Sequence, residues 1–529
     1  MNDTVPIIVT ADEGILAAPA AEPAHPRRRI ASRALVGALI LGILGDALLR
    51  TKELGINFPL WVLAAAIVVV WLSPARPEGR RRALPFLIVP LLFFASAFAW
   101  RDAEGVLLLN MAAMLVAFGV IAFQLSGWPV SLREGKLAEY FLGAASLGIS
   151  AAIGAPLLAL SDGALAEQRE RPRRGVMLAV GRGLLIALPL VVVFGALLSA
   201  ADARFEQLVN SLIAIDVVQA MQHVVFAAFV AWVAAGYLRA GVVAEAPLGV
   251  EGPVRALPRL KLGIVEIAVP LALVDLLFLT FVVLQLPYLF GGAAHVQTAP
   301  GLTVAEYARR GFFELLAVAV LVLPLLIGAA AVVREERPRD ARTFRWLGGA
   351  MLALVAVMML SALQRMRLYA AAFGLTEDRI YATAIMGWLA LVFVLFAATV
   401  LRGRSAGFVF GAIVCGWLTV AVLDIVNPQA IVVRTNVERA ANGATFDDRY
   451  VASLGADAAP ELAAAIPRLG DGARCTILRG MERTAKDRGR GLPEDWRWWN
   501  ASRSRAYRIA RSATANGALS ACPAVTPTP

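Results

Sequence analysis

Apolar residues in this chain do not alternate with polar ones; they run on for many positions at a time and then stop at clusters of Arg, Pro or Gly. In hydrocarbon such a run becomes a helix, because only a helix satisfies its own backbone hydrogen bonds there, and roughly 20 residues carry it across. Eleven runs fit: Leu35–Leu49, Phe58–Leu72, Leu84–Trp100, Val106–Phe123, Val176–Ala200, Val217–Leu238, Leu262–Leu284, Phe312–Val333, Trp346–Leu363, Ile380–Leu401 and Gly407–Val426. A twelfth, Leu137–Leu160, is long enough but is broken by Glu139, Tyr140, several Gly and Ser residues, and Pro156. It crosses, re-enters or lies in the interface. The pattern predicts an all-α, polytopic transmembrane helical bundle of about eleven spans, with twelve as the other count.

Composition agrees, since 59% of the 529 residues are hydrophobic and 17% charged, with a mean hydropathy of +0.70. That exceeds what a solvated globular domain carries, so most of the chain belongs in lipid. The net charge of +11 is supplied almost wholly by Arg. On a soluble protein it would suggest nucleic acid; here the Arg residues punctuate the ends of apolar runs, which excludes nucleic acid as the expected partner and makes them topology signals.

Cytoplasmic loops carry the excess of Lys and Arg. With Arg27, Arg28, Arg29 and Arg33 inside, eleven crossings also place inside Arg80–Arg82, the group Arg169, Arg171, Arg173 and Arg174, and the group Arg334, Arg337, Arg339, Arg342 and Arg345. Counting Leu137–Leu160 as a crossing sends the last two groups outside, so eleven crossings are preferred and that segment is read as re-entrant or interfacial. The expected organisation is a disordered cytoplasmic tail over 1–33, a transmembrane domain over 34–427 and a polar helical segment over 428–529. The odd count puts this last segment on the extracytoplasmic side of a bacterial-type plasma membrane.

Cys475 and Cys522 both lie in that segment, whereas Cys415 sits in the last apolar run. A disulfide between Cys475 and Cys522 suits an extracytoplasmic location; two separate thiols is the other reading. A helical pattern is expected over Phe446–Ile466, with Thr445 and Asp447 as caps, and a second, basic amphipathic one over Trp496–Arg511, suited to a membrane surface.

Ionisable groups in or beside the bilayer are the candidate site residues, because each costs on the order of a few kcal/mol unless it is partnered or used. The predicted outer face collects Asp202, Arg204, Glu306, Tyr307, Arg309, Arg310, Glu314, Arg365, Arg367, Tyr369, Arg379 and Asp424. Within or bordering the spans lie Asp46, Arg182, His223, Glu266 and Asp275. Asp275 stands out, being mid-span. A buried carboxylate there either exchanges a proton, as in transporter relays, or forms a structural pair, with Arg182 or His223 as the obvious partners. Gly407 and Gly411 form a small-residue pair suited to close helix packing. No phosphate-binding loop, zinc motif or nucleophile elbow occurs, and three His residues make a histidine-rich metal centre unexpected. No cofactor is expected.

The stretches LFGG at Leu289–Gly292, TVAEYARRGFFEL at Thr303–Leu315 and RLYAAAFGLTEDR at Arg367–Arg379 resemble a bacterial family of integral membrane proteins catalogued as domain of unknown function forty-one seventy-three. LLSAADARF at Leu197–Phe205 and the NP…TN.ER…D.RY pattern over Asn427–Tyr450 fit the same family. The resemblance implies a multi-pass membrane protein and supplies no activity. Three functions stay open: a transporter or channel-like protein for an ion or small solute, favoured by the intramembrane carboxylates although no inverted repeat is visible; an envelope sensor or scaffold binding an extracytoplasmic ligand or protein; and a membrane enzyme acting on lipid or cell-envelope groups through Glu306, Arg309 or Asp202.

Overall fold

The computed structural model describes residues 25–51, 53–126, 132, 135, 137–160, 162, 194, 198, 202, 217–244, 262–290, 312–333, 337–404, 406–487, 495–515 and 522. Eleven helices among them are long and apolar enough to cross a membrane. They are α1 (His25–Leu49), α2 (Asn57–Leu72), α3 (Leu84–Trp100), α4 (Glu104–Leu125), α5 (Leu137–Leu160), α6 (Val217–Leu238), α7 (Ile264–Phe290), α8 (Phe312–Val332), α9 (Pro338–Phe373), α10 (Glu377–Ala398) and α11 (Phe408–Val426). The protein is an all-α polytopic bundle, as the hydropathy pattern predicts. The membership differs in one respect: α5 is among the eleven, whereas the Val176–Ala200 run lies outside the described residues.

Consecutive helices run in alternate directions, and side-chain bonds fix which ends meet. Trp61 Nε1 of α2 donates to Leu41 O of α1 at 3.1 Å, and His223 in the early turns of α6 reaches Asp46 near the end of α1 at 2.6 Å. Arg76, just past α2, donates to the carbonyls of Gly241 and Ala244, just past α6, at 3.3 and 2.6 Å. Gln124 in the last turn of α4 donates to Arg80 O at 3.0 Å, and Leu262 N donates to Val332 O at 3.0 Å, tying the start of α7 to the end of α8. The starts of α1, α7 and α9 therefore share one end of the bundle with the ends of α2, α4, α6 and α8. Arg28, Arg29, Arg33, Arg76, Arg80–Arg82, Arg239, Arg337, Arg339, Arg342 and Arg345 all gather there, and we call it the basic end.

Helix α5 is attached to the basic end twice. Tyr140 in its first turn stacks on Phe123 near the end of α4, with ring centroids 5.1 Å apart. Past its last turn, Asp162 accepts from Arg239 Nε at 2.7 Å, just beyond α6. Between these anchors a Cβ on Gly154 would lie 2.7 Å from Gly236 Cα, so two glycines let the backbones touch. The helix thus passes across the feet of α4 and α6 instead of joining the two ends of the bundle. Its length and composition qualify it as a span, and both of its ends are tied to the basic end of the bundle. The chain is at the basic end at Asp162 and at the opposite end at His223.

Two apolar cores fill the bundle. One joins α1–α6 through Ala34, Val62, Leu91, Phe94, Ile121 and Leu238, and the other joins α7–α11 through Leu271, Leu326, Met351, Val355, Leu389 and Phe396. Large apolar side chains such as Phe86, Leu108, Val265 and Leu276 point outward and stay exposed. A soluble protein avoids that arrangement; a lipid-facing surface requires it. Gly411 of the small-residue pair is where a Cβ would meet Leu395 of α10 at 2.7 Å, whereas Gly407 caps α11 with a positive φ of 82°.

At the end opposite the basic one, five helices form a cap around a third core of Val432, Val433, Val451, Leu462 and Ile477. They are α12 (Pro428–Ala441), α13 (Asp448–Ser453), α14 (Ala459–Ala465), α15 (Asp471–Asp487) and α16 (Ala501–Ala515). Two sequence expectations need correction. The pattern over Phe446–Ile466 is two short helices, because Gly455 and Pro460 interrupt it, although Asp447 does cap the first by accepting from Tyr450 N at 2.9 Å. Helix α1 begins at His25, inside the stretch expected to be a disordered tail.

Candidate functional site

The cap is fastened to the bundle by polar side chains that mostly bind backbone groups. Asp457, almost fully buried, accepts from the amides of Asp102 and Ala103 at 2.9 Å each, and from the Ser502 hydroxyl. Those amides open α4, where the helix dipole favours an anion and the first N–H groups lack partners within the helix. Asn500 closes the neighbouring helix, its Nδ2 donating to Phe98 O at 2.9 Å and Arg101 O at 2.8 Å. Arg503 reaches the loop between α1 and α2, pairing with Glu53 and donating to Leu54 O, with its Nε 3.2 Å from Asp102 Oδ1. Ile56 N donates to Trp499 O at 2.9 Å, and Arg497 donates to Ala47 O.

A second set of fasteners joins α12 to the α9–α10 turn. Asn436 brackets Leu375, accepting from its N–H and donating to its C=O at 2.8 Å each, while Arg439 donates to Ala371 O and Ala372 O at the end of α9. The Tyr450 hydroxyl accepts from Glu377 N at 3.0 Å, and burial raises the pKa of that phenol. Gly374 turns the chain with φ 85°, and a Cβ there would lie 2.6 Å from Asn436 Oδ1, so the turn requires glycine twice over. Asn427, left-handed at φ 58°, caps α12 and donates to Asp457 O at 2.9 Å.

The predicted outer cluster is distributed over several sites at this end. Asp424 is fully buried in the last turn of α11, and its Oδ1 accepts from Asn110 Nδ2 at 2.8 Å. Arg101 donates from Nε to Asp424 O at 2.7 Å, and burial lowers its pKa against the opposing pull of Asp457 and Asp424. Arg365 is buried and donates to Gln285 Oε1 at 2.7 Å. Arg379 lies over the Tyr369 ring at 4.1 Å and donates to Gly374 O. Arg367 and Glu314 are exposed, and Asp202 N donates to Leu198 O at 3.1 Å. Arg204, Glu306, Tyr307, Arg309 and Arg310 lie outside the described residues, as does Arg182.

The intramembrane candidates separate as well. His223 pairs with Asp46, which Arg50 also approaches at 3.8 Å, so of the two partners considered for Asp275, His223 is engaged elsewhere and Arg182 lies outside the described residues. Glu266 is in the first turn of α7, where its Oε2 accepts from Gly263 N at 2.7 Å, and is therefore a helix-start residue. Asp275 is different. It shares the buried face of α7 with Ile267, Leu271, Phe278 and Val282, is 9% exposed, and neither carboxylate oxygen has a hydrogen-bond partner among the described residues.

Helices α7 and α9 run in parallel, so ten residues beyond Asp275, or about 15 Å along the axis, the same interface holds Gln285 against Ser361 and Arg365. Between them the interface is apolar. Among the described residues no group of three or more His, Cys, Asp or Glu side chains is arranged to hold a metal ion.

The family model described as Domain of unknown function (DUF4153) matches residues 88–465, most of the chain, from within α3 through the rest of the bundle and into the cap. The chain belongs to the DUF4153 family. The sequence resemblance likewise implies a domain of unknown function that supplies no activity, under the number forty-one seventy-three where the matching model is DUF4153. No curated protein and no solved structure matches the chain. In this DUF4153 protein the described parts of the family-like stretches fall largely on the fasteners: Asn427, Asn436, Arg439 and Tyr450 of one, and Gly374 and Arg379 of another.

Sequence reasoning did not single out Arg101, Asn110, Asp457, Asn500, Ser502 or Arg503. Arg101 and Asp102 stand between two apolar runs and Asn110 inside one, a pattern that marks them as costly. Nothing local marks Asp457, whose two backbone-amide partners lie more than 350 positions away.

Proposed function

We propose that this DUF4153 protein moves an ion or small solute across a bacterial plasma membrane, with Asp275 as the side chain that takes up and releases the coupling proton. The observation that supports this is the mid-span carboxylate at the α7–α9 interface with both oxygens unpartnered among the described residues. A structural carboxylate is held by donors, as Asp457 is, because leaving one bare in hydrocarbon costs several kcal/mol. A carboxylate that must change protonation state benefits from an environment that does not commit it to its charged form. The basic end is the cytoplasmic one by the positive-inside bias, and a disulfide in the cap suits the other side.

The test is a proton-flux measurement in proteoliposomes loaded with a pH-sensitive dye under an imposed membrane potential. Flux that is present with the native protein and absent with Asp275→Asn, at equal incorporation, supports the reading. Vesicles that stay as tight as protein-free ones under all gradients refute it. The fastened, disulfide-bridged cap favours a second reading, an envelope sensor or scaffold whose cap binds an extracytoplasmic partner. That reading predicts a cap-dependent crosslink to one envelope protein in intact cells and no flux.

A further inference from the structure

An apolar groove of about 530 Å³ runs between α9 and α10, lined on one side by Ala356, Leu360 and Leu363 and on the other by Thr383, Gly387 and Ala390. It continues to Ala397, so its length along α10 from Thr383 is about 21 Å. That is more than one leaflet's share of a hydrocarbon core roughly 30 Å thick. The groove lies on the opposite side of α9's buried seam from the Asp275 interface, so a ligand held in it neither requires nor excludes proton transfer at Asp275.

What distinguishes this groove from an ordinary lipid-facing furrow is its mouth. On α9 the lining face Ala356, Leu360, Leu363 leads, one turn further toward the cap, to Arg367. On α10 the lining face leads back one turn from Thr383 to Arg379. Arg367 is exposed, and Arg379 is held in place by Tyr369 and Gly374 O, so one guanidinium is free to move and the other is preset. Glu377 is occupied by Tyr381 and Gln429. Asp378 leads by the same register to Ala382, which is buried away from the groove.

We propose that the α9–α10 groove is a binding site for a phospholipid with an anionic headgroup, its acyl chain lying along the groove and its phosphate between Arg367 and Arg379. An exposed guanidinium beyond one end of an apolar trough matches that amphiphile at both ends, and Arg379 supplies the second donor group from the N–H groups not engaged with Gly374 O: paired N–H donors suit a phosphate, and the trough is too apolar to hold a polar solute. A second protein helix is a poorer fit, since the charged mouth would need a matching anion at one position only.

The experiment measures retention of phosphatidylglycerol and phosphatidylcholine of identical chains by the full-length protein after repeated detergent exchange. Arg367→Gln removes the free cation, and Gly387→Phe fills the trough at a position where an added Cβ meets nothing within 4 Å. The native protein is expected to retain phosphatidylglycerol at least about fivefold over phosphatidylcholine. Both substitutions should abolish that preference, and added inorganic phosphate should leave it intact. Equal retention of the two lipids, unchanged by either substitution, would mean ordinary annular lipid and overturn the proposal. So would a loss in Arg367→Gln alone, or displacement by inorganic phosphate, since either describes a headgroup or phosphate site without an acyl groove.

Discussion

The capped end and the α7–α9 interface both bury carboxylates, and they treat them in opposite ways. Asp457 has two backbone amides, a hydroxyl and a nearby guanidinium around it, whereas Asp275 has no hydrogen-bond partner among the described residues. The first arrangement fixes the side chain through several bonds at once, so it fastens one element to another. The second has no described bond to hold one element to another. Buried charge by itself therefore does not tell the two regions apart; the donors described around each carboxylate do.

The substitution expected to separate the regions most widely is Asp457→Ala. It strands two amides and leaves Arg101 beside an empty position, and removing one partner from a buried charged group costs about 3–5 kcal/mol. Thermal unfolding in detergent should show an early transition of the cap, with proteolysis between α11 and α16. Asp275→Asn should leave the same transition in place, since no described bond is lost. A matching drop in both variants would erase the distinction.

Next in size is the covalent staple. Cys475 and Cys522 are bridged with a Cα separation of 5.6 Å across 47 positions. On the chain-entropy account a closed loop of that length is worth about 4 kcal/mol, with engineered cases often delivering less. Cys475→Ser, or reductant added to the native protein, should lower the cap transition and leave the bundle transition unmoved. Asn436→Ala should cost about 1–3 kcal/mol by leaving the Leu375 N–H and C=O without their partner.

How much of the molecule was legible in the sequence depends on the range of each interaction. The spans were legible because a run of apolar residues is a local property, and the shared basic end because the Arg clusters sit at the run boundaries. The fasteners were not. Asn500 closes α3 and Asp457 opens α4 from the far end of the chain, and no pattern within a few residues of either reports that docking. Asp275 stands out as mid-span from sequence alone, but of its two candidate partners His223 pairs with Asp46 and Arg182 lies outside the described residues, because depth along a helix does not say which helices are neighbours.

Two smaller effects sharpen the comparison inside the capped end itself. Asp424 Oδ2 and Asn110 Oδ1 are buried without partners, on side chains already joined through their other atoms. Asp424→Asn supplies a donor on the first of these, so it should change the unfolding temperature little, whereas Asp424→Leu should cost about 1–3 kcal/mol by removing one of the two acceptors of Asn110 Nδ2 and leaving Val106 O as the other. The smallest effect belongs to Arg434, whose exposed guanidinium pairs with Glu461 and lowers that carboxyl's pKa. A lowered folded-state pKa gives stability that is present above the ordinary carboxylate value and is lost as pH falls through the folded value. Arg434→Ala should thus cost below about 1 kcal/mol at neutral pH and nothing in strong acid, as read from unfolding temperatures across a pH series.

The most direct test of the difference between the two regions is an infrared difference spectrum of the protonated-carboxyl band, recorded on the lipid-reconstituted protein between acidic and basic buffer. The expected result is a pH-dependent band that disappears in Asp275→Asn and persists in Asp457→Asn. A spectrum without such a band, or one that Asp275→Asn leaves unchanged, would contradict the assignment of Asp275 as the group that exchanges a proton.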